Sequence, residues 1–129
     1  MRRSFIVAAA ALALVGASSP AWAAKPAAPS YSITLDQAAP ALGDVVTFTV
    51  TGTESLRTPV VQVACFQSGA KVWGYNAAPG EPVKLGSDWS PWLEAGGPAD
   101  CTAGLYDMPW KGGRQSSTLY AETSFHAEG

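Results

Sequence analysis

The chain of 129 residues carries a single histidine, two cysteines and no recognisable catalytic constellation. A structural zinc site wants about four nitrogen or sulfur ligands, and His126 with Cys65 and Cys101 falls short of that. The ten carboxylates are scattered singly and form no DxDxDG calcium loop. The nucleophile elbow GxSxG, the phosphate loop and the dinucleotide motif GxGxxG are all missing. Asp100 and Asp107 have no spacing that marks a glycosidase pair. His126 falls near the end of the last predicted strand on its outward side, where a solvated imidazole is the plain reading. These absences exclude the common enzyme classes and leave no metal or cofactor expected.

Long apolar runs are scarce as well. The one present, Phe5–Gly16 (FIVAAAALALVG), has 12 residues, well short of the ~20 needed to span a bilayer. Arg2 and Arg3 precede it, Pro20 breaks it, and Ala21-Trp22-Ala23 offers small residues for a signal peptidase. Residues 1–23 therefore read as a secretory signal peptide cleaved after Ala23, and the arginine pair also echoes a twin-arginine signal. No cysteine closely follows the apolar run and no LPxTG motif occurs. The mature protein is expected to be released, extracellular or periplasmic, with no membrane insertion. Residues 24–29 form an Ala/Pro linker, and residues 30–129 are enough for one domain and too few for two.

Positive charge is in short supply. Eight basic residues face ten acidic ones, and the signal takes two of the eight with it. The exported part thus carries a formal charge of about −4. Phosphate backbones and anionic lipid gain nothing from such a surface, so nucleic acid is not an expected partner.

What the chain does have is strands. Pro59–Phe66 (PVVQVACF) places Val61, Val63 and Cys65 on one side, and Pro98–Tyr106 (PADCTAGLY) does the same with Cys101, Ala103 and Leu105. Tyr31, Ile33 and Leu35 alternate in a first strand, and Val46, Phe48 and Val50 point inward in a second. Lys71–Tyr75 and Val83–Leu85 are short strands, Asp88–Gly97 is irregular, and Ser117–His126 closes the series with Leu119, Ala121, Thr123 and Phe125 on one face. No stretch shows a capped helical period. Two cysteines in an exported chain are expected to pair, and here they lie on the inward faces of two core strands. Their bridge is expected to join adjacent antiparallel strands.

Seven short strands argue an all-β, antiparallel two-sheet sandwich, with a small β-barrel as the alternative. Gly43-Asp44-Val45-Val46-Thr47-Phe48, and Cys101-Thr102-Ala103 with Leu105-Tyr106, resemble small secreted bacterial domains of immunoglobulin-like or fibronectin-III-like type. The resemblance covers Ser30–Gly129 and implies a seven-stranded immunoglobulin-like sandwich, with no activity inherited from fold alone. The strand-three cysteine and the run Cys101–Leu105 are also faintly similar to the neocarzinostatin-type carriers, which would imply small-molecule carriage.

Four tryptophans follow the signal. Trp73, Trp89 and Trp92 are expected to plug the ends of the core. Trp110 differs, because glycines follow it and Lys111 and Arg114 flank it. In an immunoglobulin-type sandwich the loops Gly52–Thr58 and Asp107–Ser116 emerge at one end. They would gather Arg57, Met108, Trp110, Lys111 and Arg114 there. The expected function is a secreted, monomeric, non-enzymatic binding or adhesion module whose partner is a protein or glycan of acidic character. A structural envelope-associated domain and a small-molecule carrier are the alternatives.

Overall fold

The computed structural model describes residues 29–87 and 89–129. The expected signal at 1–23, and all of the linker but Pro29, lie outside the described residues. In chain order the strands are β1 (Ser32–Leu35), β2 (Val45–Val46), β3 (Phe48–Thr51), β4 (Pro59–Gln67), β5 (Ala70–Ala77) and β6 (Val83–Lys84). They continue with β7 (Ala99–Asp107), β8 (Trp110–Lys111), β9 (Arg114–Gln115) and β10 (Thr118–Ala127), and one short helix, α1 (Pro91–Ala95), precedes β7. The protein is all-β, and every strand pair among the described residues is antiparallel.

The two cysteine strands sit at the centre. β4 and β7 are neighbours in a four-stranded sheet of order β10-β7-β4-β5. Cys65 and Cys101 are direct partners in that register, bridged by a disulfide with their Cα atoms 4.1 Å apart. Such close approach is what a non-hydrogen-bonded antiparallel pair provides. Val61, Val63, Cys65, Cys101, Ala103 and Leu105 are all buried, as the alternation requires.

Two smaller pairs, β1–β3 and β2–β6, contribute to the same core. Ile33, Val46, Phe48 and Val83 join the buried side chains of β4, β5 and β7 in one apolar cluster. Phe125 of β10 packs on Phe48 with ring centroids 5.9 Å apart. Trp73 and Trp92 meet at 6.3 Å, and each indole has an acceptor, Ser87 Oγ for Trp73 and the Gly97 carbonyl for Trp92. A buried indole N–H left without one would cost free energy.

Four expectations need correction. The strands number ten segments instead of seven. The predicted second strand is divided at Thr47, whose backbone N–H and C=O are both held by Asp36. Before that point the chain pairs with β6, and after it with β1. The loop Asp107–Ser116 adds the β8–β9 hairpin. Asp88–Gly97 is not wholly irregular, because Ser90 caps α1 by accepting the Leu93 N–H, with Pro91 in the first turn. These are familiar start signals. Leu119 does not share a face with Ala121, since a bulge between them shifts the register. Trp89 is not core: it is 93% exposed with φ 71°, a left-handed conformation uncommon outside glycine.

Candidate functional site

At the Pro59–Asp107 end of the sheet the two predicted loops are tied together by one carboxylate. Asp107 accepts the Thr58 N–H at 2.6 Å and the Arg57 N–H at 3.2 Å. The Met108 N–H returns the link to the Thr58 carbonyl at 3.0 Å. Charge-assisted bonds of this kind are stronger than neutral ones. The first loop is fixed independently: Gly52 has φ 86°, and a Cβ there would lie 2.6 Å from the Ser30 carbonyl oxygen. Beyond it Ser55 Oγ meets the Tyr31 hydroxyl at 2.9 Å.

From that base rises the β8–β9 hairpin. Gly112 and Gly113 form its two-residue turn with φ 61° and 75°, the positive values that a type I′ hairpin turn needs at both central positions. Ser116 N–H to the Pro109 carbonyl, and Gln115 Nε2 to the Met108 carbonyl, hold its stem. Trp110 stands opposite Gln115, and Lys111 opposite Arg114. Trp110 is 70% exposed, so it does not fold back onto the core. Arg57, Lys111 and Arg114 are exposed, and Met108 is half-buried.

The structure therefore brings the five predicted residues onto two loops with one shared anchor. Arg57 makes no hydrogen bond or ion pair to the hairpin among the described residues. Lys111 and Arg114 have no carboxylate partner there either, because both ion-pair contacts found belong to His126. Like charges directly opposite on a hairpin are destabilising, so the tip carries uncompensated positive charge. Asp107, the residue that assembles this end, was missed by sequence reasoning. An aspartate closing a core strand is the signal that was there to read.

His126 is exposed at the far end of the sheet and is not simply solvated. Its Nδ1 lies 2.9 Å from Asp100 Oδ1, and Nε2 lies 3.8 Å from Glu128. The hydrogen bond to Asp100, aided by both carboxylate charges, raises its pKa above the ordinary 6.5. These groups do not converge as metal ligands would. The arrangement is an exposed imidazole–carboxylate pair. The Thr102 and Ser124 hydroxyls border the same opening, and among the described residues the only side-chain hydrogen bond of the imidazole is to Asp100.

Comparison of the chain with protein-family models, with curated proteins and with solved structures finds no match.

Proposed function

We propose that this chain is an exported, non-enzymatic binding module of immunoglobulin-like build, engaging an acidic partner with the β8–β9 hairpin and the neighbouring Gly52–Thr58 loop. The observation that carries this reading is Trp110: a large apolar side chain held 70% exposed on an anchored hairpin, opposite Gln115 and next to the Lys111–Arg114 pair at the tip. An indole buries about 150–250 Å² when covered, and tryptophan and arginine are the residues most enriched at binding hot spots. Cations on a domain that is otherwise acidic would steer a partner of opposite charge to this end.

Several features support the finer architecture. Joining β2 to β3 and setting the hairpin aside leaves seven strands, the immunoglobulin-like number. The four-stranded sheet and the two smaller pairs sharing one core suit a two-sheet sandwich. Release through the signal at 1–23 accords with a disulfide, which persists in oxidising compartments.

Charge reversal at the tip tests the proposal. Wild-type protein and the Lys111→Glu/Arg114→Glu variant are each immobilised and exposed to the native extracellular medium at low and moderate salt. A partner held by wild type, weakened by salt and lost from the variant, is the expected result. Equal retention by both baits would remove the hairpin from the function.

A further inference from the structure

The outer face of the four-stranded sheet can be laid out from its register, because directly opposed residues on antiparallel strands share a face. One row runs Asn76, Gln62, Gly104, Glu122 across β5, β4, β7 and β10. The next is Gly74, Ala64, Thr102, Ser124, and the third is Lys71, Phe66, Asp100, His126. Every residue in these rows except Gly104 is half-buried or exposed.

The middle row has the smallest side chains, so it forms the floor of a trough crossing all four strands. Two openings lie along it. One of about 520 Å³ is bordered by Gln62, Ala64, Lys71 and Asn76. The other, of about 460 Å³, is bordered by Phe66, Thr102, Ser124 and His126. The glycines keep large side chains low. A Cβ on Gly104 would sit 2.6 Å from Tyr106 Cε2, so the Tyr106 ring lies over Gly104. A Cβ on Gly74 would meet Lys71 Cε at 2.7 Å, so the lysine chain lies across that strand.

We infer that this trough is a binding site for a neutral oligosaccharide, separate from the hairpin. Gln62, Asn76, Thr102 and Ser124 make no side-chain hydrogen bond among the described residues, and their amides and hydroxyls both donate and accept. That inventory matches the hydroxyls of a sugar. Tyr106 and Phe66 border the floor with aromatic surface that suits the apolar face of a pyranose, and neither needs a charged ligand. Lys71 on one side, with Asp100 and Glu122 on the other, leaves little net charge across the face, which favours a neutral ligand over an acidic one. An apolar ligand would leave the unpaired amides without partners.

The test is an amide NMR titration of the exported protein with gluco-, xylo-, manno- and chito-hexaose, each taken to millimolar concentration. The expected result is that at least one sugar shifts the Ala64 and Thr102 amides. Thr102→Arg, which fills the floor, should abolish those shifts, and Gln62→Ala should weaken binding about tenfold by removing two or more hydrogen bonds. Trp110→Ala should leave the titration unchanged, so this site and the hairpin stand or fall separately. Silence with all four sugars overturns the inference, as do shifts confined to 110–115. Binding that survives both trough variants, or an apolar dye held there in place of sugar, overturns it too. Should Thr102→Arg fail to fold, Gln62→Ala decides alone.

Discussion

Trp73, Trp89, Trp92 and Trp110 are one residue type in four different situations. Trp92 is completely buried and hydrogen-bonded, Trp73 nearly so, while Trp89 and Trp110 face solvent. Composition around Trp89 and Trp92 is similar, so neighbours alone predicted core for both. What separates them is the backbone. Ser90 commits to capping α1, and Trp89 just before it takes a positive φ that turns its side chain outward. A single reversal of that kind leaves no mark in a hydrophobic pattern. Trp92→Ala should cost roughly 3–5 kcal/mol of stability, read as a lowered denaturant midpoint, and Trp110→Ala should leave that midpoint within about 0.5 kcal/mol. His126 gives a second residue-scale prediction. Its pKa is raised in the folded protein, so its stabilising contribution is complete below the unfolded value near 6.5 and fades as pH rises through the folded pKa. An NMR titration of the imidazole should have its midpoint above 6.5, and Asp100→Asn should bring it back down. A midpoint unmoved by Asp100→Asn would remove that hydrogen bond as the cause.

Among the elements, the central pair was legible because two signals agreed. Alternation placed both cysteines inward and export predicted that they pair, and the structure opposes them on the neighbouring strands β4 and β7. Removing the bridge with Cys65→Ala/Cys101→Ala should cost about 2–5 kcal/mol, measured by chemical denaturation; a loss below 1 kcal/mol would mean that the sheet holds this register without it. The division of the second strand was harder to see. Val45–Thr51 alternates without a fault, and only the two backbone bonds to Asp36 show that it changes partners at Thr47. α1 was visible in Ser90-Pro91 and Gly96-Gly97, but five residues are too few for a helical period to register. Ser90 Oγ accepts from Leu93 N–H and donates to the Gly86 carbonyl, so Ser90→Ala should cost roughly 1–2 kcal/mol. Asp107–Ser116 was expected to be loop throughout, whereas the adjacent Gly112 and Gly113 at positive φ make the defined turn of the β8–β9 hairpin.

For the molecule as a whole, the expectation that the two predicted loops would meet rested on the immunoglobulin-like resemblance. The Gly52–Thr58 loop and the hairpin do share an end, tied through Asp107, because each adjoins the same end of the central pair. Arg57, Lys111 and Arg114 outnumber Glu54 and Asp107 at this end, while the Asp100–His126–Glu128 group lies at the other. The trough on the outer sheet face was not foreseen, since it depends on a four-strand register that no single stretch encodes. The proposal that this end binds a partner through Trp110 meets its most direct test in paired affinity and stability measurements. With the captured partner in hand, Trp110→Ala should weaken binding by about 2 kcal/mol or more, some thirtyfold, with the melting temperature unchanged. Intact affinity in a variant with a lowered melting temperature would make Trp110 a structural residue and contradict the proposal.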